Sequence, residues 1–300
     1  MERYSVHLKL LGMAVLWGAS WPMGRMLGQS LPPLTGGAVR FVLASVLLLG
    51  WLFARSRFAT LAALSARQWL GLTAAASVGV CGYAVFFMLG LQTMPAGKAA
   101  VVVAVNPVLT LLLATWFFGE RLNAKILAGM LLAVGGAIMV VTQGQPLTVL
   151  SGGINAGEWL IFGCVVCWAA YTLIGRAVLR GIDALTVTAA TSFIGALMLS
   201  AVALWTDGMP FEAIAAMDGR GWTALAWLVI GATVLAYAWY FEGVKTLGAG
   251  SAAAYITLVP IFGVLSSAWF LGEPLHISLV AGCAAAVGGM TLMRYGQKAV

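Results

Sequence analysis

Aromatic side chains recur at one-turn spacing inside long apolar runs: Trp17 with Trp21, Tyr83 with Phe86 and Phe87, Trp168 with Tyr171, and Tyr237 with Tyr240 and Phe241. Residues three and four apart share a helix face, so each set forms one aromatic stripe. Such a stripe packs a core, faces lipid or lines a cavity. The tyrosines and tryptophans favour the cavity, because a buried hydroxyl or indole N–H wants a polar partner and because matched positions of an internal repeat both keep them. The chemistry on offer is the binding of flat or apolar groups rather than the making of bonds.

Polar residues inside the runs are few. Arg25, Arg40 and Lys98 lie near the outer end of the first half; Arg40, the furthest inside of the three, can face the interior of the helix bundle, as intramembrane charges tend to, and hold a carboxylate. The alternative for it, as for Arg25 and Lys98, is snorkelling to headgroups. Asn106 immediately precedes Pro107, and Tyr255 and Thr257 stand one turn before Pro260. A helical proline deletes a backbone hydrogen bond and frees a carbonyl upstream, and non-helical backbone at membrane depth persists only beside protein or a cavity. Pro107, Pro260 and Pro22, which bends the first run, therefore read as hinges or as packing kinks. Glu242 is the carboxylate read inside a run, near its cytoplasmic end, so no acidic group is placed at midplane for a proton or a cationic cargo.

Catalytic constellations do not assemble. Cys164 and Cys167 form a CxxC without a second pair or a nearby His, His7 and His276 fall on opposite sides of the membrane, and Gly97-Lys98 lacks the remaining residues of a phosphate-binding loop. All four cysteines lie in apolar runs and read as buried small hydrophobes. An intramembrane enzyme acting on lipid, the rival reading from another class, would need a nucleophile with a base or a metal set. No metal and no cofactor is expected.

The elements that position these residues follow from composition. The chain is 62% hydrophobic and 8% charged with a mean hydropathy of +1.00, against about 25% charged in soluble domains. It is an all-α integral membrane protein. Apolar runs bounded by polar or Gly/Pro breaks give ten spans, at 8–27, 36–54, 69–91, 97–118, 124–142, 156–176, 184–205, 222–244, 250–271 and 276–295; about 20 helical residues cross the hydrocarbon core. The first span follows Arg3 and Lys9 and so resembles a signal peptide. It carries Trp17 and Gly24-Arg25, which the second half repeats as Trp168 and Gly175-Arg176, and is therefore read as the first helix.

The repeat is plain elsewhere. Over residues 96–136, 17 of 41 positions are identical to those 153 further on, including Ala96-Gly97, Pro107, Trp116-Phe117, Gly119-Glu120 and Gly135-Gly136. The chain divides into a first five-helix repeat, 1–145, and a second, 154–300, forming a single transmembrane unit. An odd number of helices per repeat inverts the second. Twelve of the 16 cations fall on the side of the N-terminus, so the positive-inside rule places both termini in the cytoplasm, with Glu120 cytoplasmic and Glu273 outside. The net charge of +7 is thereby a matter of orientation, and nucleic acid is not a partner. Inverted repeats mark secondary transporters, which bind cargo at midplane between the halves. Gly129 with Ala133 and Gly282 with Ala286 form small-residue faces, serving contacts within the monomer or the seam of a homodimer. Trp51, Trp69, Trp159, Trp205 and Trp222 read as interface anchors.

Together the ten-helix inverted duplication, Trp17-Gly18, Arg40-Phe41, Pro107 and Pro260, and the Gly119-Glu120 and Gly272-Glu273 turns resemble the drug/metabolite transporter superfamily, in its EamA-like branch. Trp168-Ala169-Ala170-Tyr171 resembles the sixth-helix motif of the YddG-type exporters of aromatic amino acids. The resemblance implies a multi-pass protein of the bacterial inner membrane that exports amino acids or related metabolites, with a small molecule and membrane lipid as its partners. Facilitated transport by alternating access is expected around a cavity lined by Trp17, Trp21, Arg40, Tyr83, Asn106, Trp168, Tyr171, Tyr237, Tyr240 and Tyr255. A proton-coupled cation or drug exporter is the rival within transport.

Overall fold

A computed structural model describes residues 2–55, 58–145, 155–178, 181–208, 210–247 and 249–297. The described residues form ten helical spans. These are α1, which is Glu2–Gly18 followed by Ser20–Ser30; α2, Pro33–Ala54; α3, from Ala66–Ala76 through Ser77–Gly82 to Tyr83–Thr93; α4, Ala96–Val103 followed by Asn106–Phe118; and α5, Ala124–Val141. The second half supplies α6, Ala156–Val178; α7, Ala184–Asp207; α8, from Gly219–Ala226 through Trp227–Leu235 to Ala236–Leu247; α9, Ala249–Ile256 followed by Val259–Leu271; and α10, Ile277–Gln297. Among the described residues nine helices are each long and apolar enough to cross a bilayer, and α1 crosses as the sum of its two segments. The segment that joins the two repeats lies outside the described residues over 146–154. The connection from α7 to α8 holds a short helix, Phe211–Ala215.

Five spans are interrupted: three at the prolines that the sequence reads as hinges or kinks, and two, α3 and α8, where it reads no irregularity. Pro22 has no N–H for the carbonyl of Gly18, and α1 breaks at Ala19. Pro107 and Pro260 break α4 and α9 in the same way. At both, the turn upstream tightens to i−3 bonds: Ala104 and Val105 donate to Val101 and Val102 at 3.1 Å, and Thr257 and Leu258 donate to Ala254 and Tyr255 at 3.2 and 3.1 Å. The α3 and α8 spans instead widen into π-helical turns. Tyr83 N–H donates to Val78 O, and Ala236 N–H donates to Gly231 O, each five residues back. A shift of 153 carries one bond onto the other, so the repeat extends to a backbone irregularity.

Packing follows the same twofold logic. Helix α1 packs on α8 as α6 packs on α3; α1 packs on the second segment of α9 as α6 packs on that of α4; and α2 with α7 and α5 with α10 pair across the halves. The α5–α10 seam is the tightest. A Cβ on Gly129 would lie 2.6 Å from Gly289 O, and one on Gly136 would lie 2.5 Å from Gly282 O, so only glycine fits and the backbones touch. Ala133 and Ala286 are fully buried in the same seam. The small-residue faces are thus spent within the monomer and do not form a dimer seam.

Burial differs between the two faces of the bundle. Toward the face opposite the chain termini, one continuous core draws Met26 and Leu27 of α1, Leu34 of α2, Met88 and Leu91 of α3, Ala96 and Ala99 of α4, Ile161 of α6, Leu199 of α7 and Leu225 of α8 into contact. Toward the terminal face the core divides. Val6, Leu10 and Met13 of α1 pack with Ala236 of α8 and Ala252 of α9, whereas Leu72 and Ala75 of α3 pack with Ala190 of α7.

Candidate functional site

Where the single core gives way to the divided one, the aromatic stripes meet across the halves. The Trp17 ring stands edge-on to Tyr237, with centroids 5.4 Å apart and planes at 70°, and Trp168 stands edge-on to Tyr83, at 6.1 Å and 62°. The two pairs are repeat mates. Edge-to-face contacts of this kind add about 0.5–1.5 kcal/mol to simple burial. Each tryptophan therefore meets the tyrosine of the opposite half. From the Tyr237 pair the rings continue to Tyr240, 5.7 Å from Trp17, and Phe241, 5.8 Å from Tyr237. From the Tyr83 pair they continue to Phe87 at 6.1 Å and Tyr171 at 5.8 Å from Trp168. Tyr83 lies about 15 Å along the helix from the far end of α3 and Trp168 about 18 Å from that of α6, near the middle of each crossing.

The π-turns orient these rings. In the α8 segment Ala236 N–H, the usual helical partner of Ala232 O, is committed to Gly231 O. The Trp17 indole N–H takes up that carbonyl at 2.9 Å. On the α3 side Gly79 lies in the π-turn under Tyr171, where any Cβ would fall 2.3 Å from the ring. Nothing in composition or periodicity marks these wide turns; the glycines Gly79, Gly82 and Gly231 are the only residue-level trace of them.

Arg40 supplies the charge. It is eight residues into α2, and its guanidinium lies over the rings of Phe41 and Phe87, at 4.9 and 5.8 Å. Its Nε is buried without a hydrogen-bond partner among the described residues. A buried donor left unpaired costs about 1–3 kcal/mol, which a carboxylate would recover. An offset of 151 aligns Leu34-Thr35 with Leu185-Thr186 and sets Thr191, fully buried on α7, at the equivalent place. The aromatic lining is twofold, but the cation belongs to one half.

The other expected residues are less central. Trp21 is buried with its ring 5.1 Å from Phe87. Tyr255 bonds His7 Nδ1 through its hydroxyl at 2.7 Å, near the terminal face. Asn106 begins the second segment of α4, and among the described residues its Oδ1 is a buried acceptor without a partner, apart from the paired rings. Pro260 and Pro22 are buried, and Pro107 is exposed.

Two charges expected to snorkel do otherwise. Arg25 donates to Met94 O at 2.9 Å and lies 3.6 Å from Glu273, and Lys98 pairs with Glu158. Glu158 is a second carboxylate within a span: it begins α6, is 6% exposed, and accepts from Asn155 N–H at 2.6 Å. Glu242 is neutralised by Lys9 at 2.7 Å. Sequence reading misses the Lys98–Glu158 pair because the partners lie 60 residues apart on different helices. Cys164, Cys167 and Cys283 are buried as expected, whereas Cys81 is only half-buried, and all four are free thiols.

Comparison with known proteins agrees with this architecture. The EamA-like transporter family model matches the chain twice, over residues 5–142 and 155–295. An uncharacterized transporter of Bacillus subtilis, YyaM, is 28% identical over 97% of this chain and 93% of its own. A probable amino-acid metabolite efflux pump of Salmonella typhimurium is 25% identical over 99% and 96%. A solved crystal structure at 22% identity superposes with a TM-score of 0.65 over 96% of this chain and 97% of that one, which shows the same fold. Ten membrane spans, a duplicated five-helix pattern and a family match over both halves lead to one conclusion: the chain belongs to the EamA-like transporter family.

Proposed function

We propose that this transporter exports small metabolites that join a carboxylate to an apolar or aromatic body, amino acids foremost, across the bacterial inner membrane. The observation that carries the reading is the Arg40 guanidinium, whose Nε is buried without a hydrogen-bond partner among the described residues and which lies over the Phe41 and Phe87 rings, Phe87 in turn stacking on Tyr83. A cation there attracts an anionic group, and the rings take the rest of the cargo. A cationic drug would meet like charge at the same place, which weighs against the rival reading. The name of the Salmonella relative is in keeping with an amino-acid cargo.

The mechanism that fits is alternating access. The core is continuous toward the far face and divided toward the terminal face, between α1, α8 and α9 on one side and α2, α3, α6 and α7 on the other. With the termini in the cytoplasm, as the cation count argues, the rings and Arg40 are reached from the cytoplasm. The broken helices α1, α4 and α9 provide the joints. Glu158 and Glu242, which lie inside the apolar runs, are each engaged by a lysine, in keeping with transport down the cargo gradient without a proton.

The test is reconstitution into proteoliposomes with a panel of labelled amino acids, with and without a pH gradient. Saturable counterflow of aromatic or apolar amino acids, unchanged by the gradient, is expected. Gradient-driven movement of organic cations with no amino-acid flux would overturn the reading.

A further inference from the structure

At the far face the Glu273 carboxylate reaches across to another helix. It accepts from the backbone N–H groups of Ala96 and Gly97, at 2.7 and 2.9 Å, and lies 3.6 Å from Arg25. Those amides open α4, so the carboxylate sits where unsatisfied donors and the helix dipole favour an anion. One side chain on the α9–α10 turn thereby ties together α1, α4 and α9. Glu273 is 13% exposed at its side chain, and charge-assisted bonds so shielded are about twice as strong as neutral ones.

Every part of this arrangement has a repeat mate. The Gly119-Glu120 turn is the mate of Gly272-Glu273, Arg176 that of Arg25, and Ala249-Gly250, which open α9, are the mates of Ala96-Gly97. At the terminal face Arg176 pairs with Glu120, so the arginine–glutamate part of the set is present at both ends. Each turn also has its glycine in the left-handed region, Gly119 at φ 67° and Gly272 at φ 65°, so the two turns share a backbone conformation.

We propose that Glu273 and Glu120 are reciprocal gate residues. Each closes one face by docking its carboxylate on the first turn of the proline-broken helix of the other half, α4 for Glu273 and α9 for Glu120. The inference rests on the alternating-access reading above and adds to it the residues that hold each gate shut. The far-face gate is the one seen closed: its glutamate is docked, and the core beneath it is continuous. Removing the Glu273 charge releases α4 from the α9–α10 turn and favours the far-open form. Removing that of Glu120 acts in the opposite sense.

Spin-label distances test this without knowledge of the cargo. In a background with the four native cysteines replaced by alanine, labels at Gln92 and His276 report the far face, and labels at Arg67 and Thr246 report the terminal face; all four positions are exposed. Glu273→Gln is expected to raise the population with long Gln92–His276 distances about tenfold, the effect of losing a charge-assisted bond, and to shorten Arg67–Thr246. Glu120→Gln is expected to leave the far-face distance short. Gly97→Ala keeps every charge but places a Cβ 3.3 Å from Glu273 Oε2 and 3.4 Å from Ser267 Cβ, and should open the far face in the same direction as Glu273→Gln. Unchanged far-face distances in folded Glu273→Gln and Gly97→Ala protein, at either end of the transport cycle, would overturn the gate assignment. Far-face opening without any amino-acid flux would leave the gates standing and remove the proposed cargo.

Discussion

At the scale of single residues, ring contacts separate the site from the membrane belt. Trp168 and Tyr83 meet edge-on near midplane, whereas Trp222 is 46% exposed in the first turn of α8. Trp168 is itself 36% exposed and Tyr83 half-buried, so the ring contact, rather than burial, marks them; losing such an aromatic partner costs about 1 kcal/mol beyond area, a several-fold loss of affinity. Trp168→Ala and Tyr83→Ala should therefore raise the half-saturation concentration several-fold at normal abundance in the membrane, while Trp222→Ala leaves it unchanged. Saturation kinetics of the reconstituted variants measure this. Trp17→Ala should do less, because its N–H bond to Ala232 O gives it a structural share. The repeat made the four mates Trp17, Trp168, Tyr83 and Tyr237 legible in the sequence. Their pairing was not legible: which tyrosine each tryptophan meets depends on how the halves interleave, and no local pattern encodes that.

At the scale of elements, prolines and glycines decide where helices break and where they touch. The breaks at Pro107 and Pro260 were legible because a missing N–H has one structural consequence. The π-turns in α3 and α8 were not, because an extra residue in a turn leaves the apolar pattern intact. The α5–α10 seam yields a sharp contrast between neighbours. A Cβ on Gly136 would meet backbone, Gly282 O at 2.5 Å and Ala286 N at 2.7 Å, while one on Gly135 meets nothing within 4 Å. Gly136→Ala should cost about 1–3 kcal/mol through overpacking and lower the melting temperature of the purified protein in detergent. Gly135→Ala should match the parent. Equal melting of the two variants would mean that the seam tolerates separation. Sequence spacing flagged these faces, yet spacing alone could not tell an internal seam from a dimer.

At the scale of the whole molecule, two aromatic pairs are related by the repeat, and Arg40 of the first half lies over Phe87 beside one of them. The span count, the repeat and the family were readable from the chain, since hydrophobic length and duplication are properties of sequence. The charge pairs that knit the far face, Lys98 with Glu158 and Glu273 with α4, were hidden because snorkelling and pairing look the same until partners on other helices are placed. What the fold as a whole predicts is that Arg40 reads the carboxylate of the cargo. The most direct measurement is competition in counterflow by proteoliposomes, comparing an aromatic amino acid with its amide, which differs by the loss of the carboxylate charge. The parent protein should be inhibited by the acid at least about tenfold more strongly than by the amide, as befits a charge-assisted bond. Arg40→Gln should transport weakly and lose that preference. Equal inhibition by acid and amide in the parent, or a preference unchanged in Arg40→Gln, would contradict the account.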